Sequence, residues 1–586
     1  MAESNRFYEE ELNYLIEAGR EYARLHPDRA RHLNLSDPRS RDPHVERLVE
    51  SFAFLSGNIR QKLEDDFPEL THALLDLVWP YHLRVIPSMA LLELQPKKGM
   101  VRERQLIRRG FLVDSQRTSE EVPCRFRTAY DVEMHPIHLA EAGLHADSAG
   151  RPRLRFRFEV VEGADLARLR IDRLRIHLAG EPAAAFGLYQ ILRRQVDSIV
   201  LSWGKDGKRL LPEGAVRPVG FAEDEEVLPY PTTSFPGFRL LSEYFCFPEK
   251  FLFLDFVGLG AIPLGPRDPG FEMEIRFRGA VPDTFHPTAE NFRLHTTPIV
   301  NAFPHDGEPI TVNQLKVKHR VLADFTHPEA YEVIAVESVE GLRQSDGARL
   351  KRPPFFSFDH DSGNAGSGEG GADGIYYHVT QRRSPLGVWL TYLSLISSAK
   401  GRLPAEEVLS LSLTCTNGRL CREVGIGDVR GYGGEKLDFA TFRNLTRPTE
   451  PIYPRLGAGT EWRFVSQMAL NLLSLSDPAA FRSLLALYDA GEQPANRRRI
   501  ESVLEAKLAP REILDRGAPI RGTAFTLTVD ETHFDDFGDL LLFSEVLSEF
   551  LSLYSGVNSF TELTVSQFPS GAILRCPATR GKQSSI

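Results

Sequence analysis

The segment FRLLSEYFCFPEKFLFLDF, residues 238–256, constrains the fold of this 586-residue chain more than any other stretch. It carries seven aromatic rings in nineteen residues, interrupted by charged residues. The run FLFL lacks alternation, which predicts a strand buried on both faces, and Pro248 predicts a turn before it. We therefore expect a packing motif formed by Tyr244, Phe245, Phe247, Pro248, Phe251 and Phe253. It can be the core of one domain or an aromatic seam between domains or subunits.

The composition excludes several classes of protein. With 42% hydrophobic and 26% charged residues, the chain is that of an ordinary globular protein long enough for about three or four domains. A net charge of -10 argues against nucleic-acid binding. We expect no membrane insertion, because no apolar run approaches the ~20 residues of a membrane span. Five scattered cysteines and a start without the features of a signal peptide predict a cytoplasmic protein without disulfides, its cysteines being small buried hydrophobic residues.

The N-terminal segment, residues 1–87, has helical spacing of its apolar residues. We predict helices over residues 6–25, from Pro43 to about Leu63, and after Pro68. Their apolar stripes can cap the following domain or contribute to a bundle shared with a partner. The candidate partner interface is Phe7, Tyr8, Leu12, Leu48, Phe52 and Leu55.

The remaining chain is predicted to form three further regions, which gives an α+β multidomain fold. Residues 88–236 are β-rich, with arginines on alternate positions of 153–161 and 166–180 that we expect to form a solvated face. Residues 237–400 form a β-rich middle domain, in which 362–374 is a Gly/Ser loop. Residues 401–586 form a mixed α/β domain. In that last domain we predict helices at 462–475, 479–488 and 539–556, and strands at 523–531 and 560–567.

Local motifs of catalysis are missing from the sequence. There is no phosphate-binding loop, no G-x-S-x-G and no H-E-x-x-H. His135 and His138 lie in an extended segment, which sends them to opposite faces, so we interpret them as surface or turn residues. We predict no catalytic, cofactor-binding or metal-binding residue and no cofactor. Since a site assembled from distant residues leaves no local motif, an enzyme with a non-local site stays an alternative.

Three blocks of sequence resemble one known family. These are FYEEELNYLIEAGREYARLHP near the start, EYFCFPEKFLFLDF in the centre and FSEVLSEFLSLYSGVNSFTELTV near the end. All three, in this order, are similar to the TssF family, also called ImpG or VasA, which is a baseplate subunit of type VI secretion systems. The packing motif of the central block is one of the family's most recognisable features.

The resemblance implies a structural protein without enzymatic activity. Family members are expected to build a wedge from two TssF copies and one TssG, which binds TssK and TssE. Wedges surround the VgrG spike hub and form the platform for the contractile sheath and tube. The expected location is the bacterial cytoplasm, docked through partners at the secretion complex of the inner membrane. The N-terminal helices are then candidates for a bundle with TssG and the second TssF copy. A baseplate wedge protein of a phage-derived contractile particle is an alternative.

Overall fold

The structure is a computed structural model in which two compact units are distinguished: residues 1–83 with 455–469, and residues 84–454 with 470–586. In the first unit, residues 47–48 and 50–55 are helical, in agreement with the second predicted helix, and Pro80–His82 forms a 3-10 helix. The other two predicted N-terminal helices lie outside the described residues. The structure describes residues 47–48, 50–55, 79–146, 150–164, 169–230, 234–265, 268–282, 285–313, 316–343, 347–355, 374–383, 388–397, 406–454, 475–515 and 518–582.

Strands of the second unit are numbered along the chain, and its largest sheet joins distant parts of the sequence. In spatial order this antiparallel sheet contains Gly431–Tyr432 (β23), Leu112–Arg117 (β3), Pro123–Thr128 (β4), Thr296–Val300 (β15), Met89–Pro96 (β1) and Ala440–Asn444 (β24). Cys124 and Cys421 belong to its apolar core. The sheet combines strands from three of the predicted domains, whose boundaries stay a prediction.

Two further antiparallel sheets are built from strands between residues 137 and 294, one of which is the strand of the aromatic segment. The five-stranded sheet contains, in order, Gly207–Leu210 (β10), Val196–Trp203 (β9), Gly270–Phe277 (β13), Pro152–Val160 (β7) and Ile137–Ala146 (β6). The four-stranded sheet contains Val216–Pro218 (β11), Phe253–Ala261 (β12), Arg170–Leu178 (β8) and Phe292–Leu294 (β14). The buried strand predicted for FLFL is confirmed only for Phe253 and Leu254, which begin β12, whereas Phe251 ends the 3-10 helix Pro248–Phe251.

Three smaller antiparallel sheets complete the β-rich part. One contains Phe303–Val312 (β16), Glu407–Thr416 (β22), Glu332–Arg343 (β18) and Arg349–Arg352 (β19). Another contains His319–Arg320 (β17), Trp389–Ser397 (β21) and Ile375–Arg383 (β20). The third pairs Gln105–Ile107 (β2) with Val132–Met134 (β5).

The C-terminal sheet is mixed. It contains Val503–Asp515 (β25), Ala518–Asp530 (β26), Phe560–Phe568 (β27) and Ile573–Arg575 (β28), and Thr579–Arg580 (β29) also pairs with β27. The pair of β26 and β27 is parallel, because the helix between them crosses over the sheet. The predicted strands at 523–531 and 560–567 are confirmed.

Helices of the second unit are few among its described residues. They are Pro182–Arg194 (α1), Pro236–Cys246 (α2), Pro478–Tyr488 (α3), Pro494–Glu501 (α4) and Phe537–Ser552 (α5). Proline in the first turn starts α1 to α4, where its missing N–H costs nothing. Asp536 caps α5 by accepting from the Asp539 N–H at 2.8 Å. Helices α3 and α5 confirm two predicted helices, whereas the helix predicted at 462–475 and the Gly/Ser loop at 362–374 lie almost wholly outside the described residues.

Candidate functional site: an aromatic centre with paired charges, and an exposed helix face

The aromatic segment folds as a helix, a short 3-10 helix and a strand. Helix α2 carries Tyr244 and Phe245, the 3-10 helix Pro248–Phe251 follows Phe247, and Phe253 begins β12. All the rings of the packing motif are buried, and Pro248 is partly exposed. The sequence indicated the buried strand and the turn but not the helix, although Pro236 in the first helical turn was a usable signal.

The rings of this segment touch parts of the chain that are far apart in sequence. Tyr244 packs on Phe543 of α5, with ring centroids 5.9 Å apart. The Phe253 ring packs edge to face on the ring of Tyr130, which lies two residues after the end of β4, with ring centroids 5.7 Å apart. Asn496 of α4 donates its amide N–H to the Phe245 carbonyl at 2.8 Å. The segment therefore connects the C-terminal helices to elements in the first half of the second unit.

A buried ion pair lies within the segment. The Lys250 ammonium group contacts the Glu243 carboxylate, and both side chains are 0% exposed. Glu243 Oε1 also accepts the N–H groups of Val227 and Leu228, both at 2.8 Å, and Lys250 donates to the Glu225 carbonyl at 3.1 Å. Burial lowers the pKa of Lys250, and the Glu243 carboxylate opposes this shift. Because both members of the pair form hydrogen bonds with backbone groups of residues 225–228, they hold this segment against α2.

Arg175 forms a second group of paired charges beside the first. It donates to both oxygens of Asp255, at 2.7 and 2.9 Å, and to Glu225 at 2.8 Å. Burial opposes its charge, but the hydrogen bonds and charge of Asp255 outweigh burial and raise the pKa of Arg175. The prediction of a solvated arginine face is therefore wrong at Arg175, since its cross-strand partner Asp255 supplies a carboxylate inside the structure. On β7 the prediction is closer, because Arg155 is exposed, although Arg153 is only partly exposed and pairs with Glu274 at 2.7 Å.

Three histidines near this centre are buried and neutral. The interpretation of His135 as a surface or turn residue is wrong, because its ring is 2% exposed, whereas His138 is half exposed and lies 3.4 Å from Glu159. Nε2 of the His295 ring accepts a hydrogen bond from the backbone N–H of His135 at 3.2 Å. Burial lowers the pKa of His177 and of His295 to about 3. Apolar surroundings favour the neutral ring, so these groups serve packing at neutral pH.

The described side chains of this centre form packing contacts and ion pairs. A cavity of about 20 Å³ beside Arg175 and His295 has room for little more than one water molecule. Within the ranges that the structure describes, no group of three or more His, Cys, Asp or Glu side chains is placed to hold a metal ion. The five cysteines are buried and free, as predicted. No helix among the described residues has both the length and the apolar character needed to cross a bilayer.

The second candidate site is the helical segment described at residues 47–48 and 50–55. Leu48, Phe52 and Leu55 share one face and are 70%, 61% and 56% exposed, whereas Ala53 is buried. Phe54, which the apolar stripe did not include, is 57% exposed. Exposed large apolar side chains at this density are typical of interaction surfaces. Phe7, Tyr8 and Leu12 lie outside the described residues, so the six-residue partner interface stays a prediction.

These features define a large β-rich protein with densely paired interior charges and an apolar helix face open to partners. An exposed apolar face of this kind is typical of a protein that assembles with partners.

Comparison with known proteins identifies the family. Residues 1–583 match the family described as Type VI secretion system, TssF, and the chain belongs to it, which confirms the resemblance of the three sequence blocks. It is 29% identical, over an alignment of 635 positions, to the type VI secretion system component TssF1 of Pseudomonas aeruginosa, and the match covers 99% of both chains.

Two solved structures of secretion baseplates contain a similar chain. A chain of a TssK-TssF-TssG baseplate subcomplex, determined by cryo-electron microscopy, is 29% identical, with a TM-score of 0.79 over 92% of this chain and 99% of that one. A chain of a type VI secretion baseplate complex is 26% identical, with a TM-score of 0.61 over 99% of this chain and 100% of that one. The α+β multidomain fold expected from the sequence is thereby confirmed.

Proposed function

We propose that this chain is a structural, non-enzymatic subunit of a type VI secretion baseplate and that it assembles with TssG and TssK. The observation that carries the proposal is the similarity over nearly the whole chain to a protein solved within a TssK-TssF-TssG subcomplex. The interior supports the same conclusion, because its buried charges are engaged in packing contacts. No specific observation favours an enzyme with a non-local site.

The finer arrangement of the assembly is also a proposal. Two copies of the chain join one TssG in a wedge, and wedges with TssK and TssE surround the VgrG spike and support the sheath and tube. The complex works in the bacterial cytoplasm, docked through its partners at the secretion complex of the inner membrane. This arrangement rests on membership of the TssF family, which also favours a secretion system over a phage-derived contractile particle. Since two identical chains around one TssG have different neighbours, each copy uses part of its surface differently.

The exposed face at residues 47–55 is the surface we propose for the shared helical bundle. Phe7, Tyr8 and Leu12 extend it in the sequence, and Leu48, Phe52 and Leu55 are exposed in the isolated chain. Burial of such side chains against a partner removes apolar surface from water, at about 25 cal/mol per Å².

A double substitution tests this function and this surface together. With the chain coexpressed with TssG and TssK, Leu48→Asp/Leu55→Asp should abolish copurification of TssG. The matched control is Leu210→Asp/Leu514→Asp, which changes two leucines of β10 and β25 that are 66% and 79% exposed. Hydrogen exchange should show residues 84–454 protected as in the unmodified chain. Retained TssG would refute the bundle surface, and loss of protection throughout would show that the helices belong to the chain's own core.

A further inference from the structure

An open cleft lies in the second unit, away from the aromatic centre. Its volume is about 290 Å³, and it is bordered by the segment after β17, by β21 and by the 3-10 helix Gly418–Glu423. The apolar residues that line the cleft include Val321, Ala323 and Leu420. Trp389 also lines it, is 5% exposed, and has an indole N–H without an acceptor in the part of the chain that the structure describes. A buried donor without an acceptor is costly, which marks the wall of the cleft at Trp389 as incompletely satisfied.

Beside the cleft, a fixed loop holds an aromatic ring in solvent. Phe325 is 77% exposed and lies between cleft-lining residues of the same loop. Asp324 Oδ1 accepts the N–H groups of Thr326 at 2.6 Å and His327 at 3.3 Å, and Glu308 accepts the Phe325 N–H at 3.1 Å. These bonds specify the backbone on both sides of the ring. Because the backbone that carries the ring is already held, less of the loop has to be ordered on binding, as expected of an anchor in an interface.

The charges around the cleft favour a basic partner. Carboxylates outnumber guanidinium groups among its lining residues, which include Glu120, Glu329, Glu332 and Glu423 against Arg320 and Arg419. Glu332 accepts from the Tyr453 hydroxyl at 2.9 Å, and Glu423 is held by Ser119 at 2.6 Å. Glu120 and Glu329 are exposed and form no ion pair within the described ranges. Arg320 is likewise exposed and forms no ion pair within the described ranges, so the uncommitted groups are two carboxylates and one guanidinium group. The net negative charge is the electrostatic complement of lysine or arginine.

We propose that this cleft, together with Phe325, docks a basic segment of another protein subunit. The segment places an apolar side chain against Val321 and Leu420, stacks on Phe325 and directs lysine or arginine to Glu120 and Glu329. The proposal rests on the proposed function in one respect, since it takes the chain to work within an assembly. It adds an interaction surface separate from the helix face at residues 47–55.

Photo-crosslinking in the assembled complex tests the proposal. The full chain carries p-benzoylphenylalanine in place of Phe325, is coexpressed with TssG and TssK, and is irradiated after purification of the complex. Mass spectrometry of the crosslinked peptides should identify one segment of a different subunit with lysine or arginine near the site of attachment. Glu120→Lys/Glu329→Lys in the same chain should lower the crosslink yield about tenfold, and Glu120→Gln/Glu329→Gln should lower it less.

The control is Glu213, an exposed glutamate in the turn between β10 and β11, which contributes no residue to the cleft. Glu213→Lys should leave the crosslink yield unchanged. A crosslink to a second copy of this chain, to a segment without basic residues, or to nothing while TssG and TssK still copurify would overturn the proposal and leave the proposed function standing. Failure of the unmodified chain to copurify with either subunit would instead overturn the proposed function.

Discussion

The buried ion pair between Lys250 and Glu243 gives a quantitative test of the aromatic centre. Lys250→Met leaves the Glu243 carboxylate 0% exposed without its counter-charge, and Glu243→Gln leaves the ammonium group in the same position. Removing one partner of a buried pair costs ~3–5 kcal/mol. The double variant Lys250→Met/Glu243→Gln has no charge left, while the Gln carbonyl still accepts the N–H groups of Val227 and Leu228. We expect it to be more stable than the sum of the single effects by at least ~2 kcal/mol.

Hydrogen exchange measured by mass spectrometry suits a chain of this size, because unfolding of a multidomain protein is not a single two-state transition. Peptides from residues 236–256 should exchange about 100-fold faster or more in each single variant, since 1.4 kcal/mol corresponds to a factor of about ten. The matched control is Lys582→Met, which removes a partly exposed contact with Glu549 and should change stability by at most ~1 kcal/mol. Single variants with unchanged exchange, or a double variant as unstable as the sum, would refute the buried pair.

Further predictions concern packing and pH. Phe251→Ala should destabilise the aromatic centre by ~3–5 kcal/mol, because a fully buried ring is lost, whereas Phe325→Ala should change stability by less than ~0.5 kcal/mol. Equal effects of the two variants on hydrogen exchange of peptides from residues 236–256 would contradict the burial of Phe251. His177 has a folded pKa of about 3, below its unfolded value of about 6.5, so its contribution is present above pH 6.5 and is lost towards pH 3. Between pH 7 and pH 5 this loss amounts to ~2 kcal/mol, because the slope approaches ~1.4 kcal/mol per pH unit only below the unfolded pKa. His177→Gln should remove this loss, measured from hydrogen exchange of peptides from β8 after correction for intrinsic exchange rates; an unchanged pH dependence would show that the ring is not buried as described.

Much of the secondary structure was predictable because its signals are local. Alternation and short apolar runs predicted many of the strands, and helical spacing predicted α3 and α5. Helix α1 was missed although its signals were present, with Pro182 in the first turn and Arg193 and Arg194 in the last.

What the sequence could not show is which distant residues meet. Strand β1 pairs with β24 about 350 positions later, so that one sheet crosses the predicted domains. The partner of Arg175 is Asp255, 80 positions away, and an alternating pattern cannot distinguish a solvated arginine from one paired inside the protein. His135 likewise has no local signal of burial, because its contact is with His295. The aromatic segment was recognisable as a packing element, but the two buried charge groups within it depend on contacts that only the fold brings together.

The central claim, that this chain is a structural subunit of a baseplate wedge, is tested most directly by the mass of its complex. Native mass spectrometry of the chain coexpressed and purified with TssG should show two copies of this 65.9 kDa chain for each TssG. A monomer of this chain with no TssG bound would contradict the account.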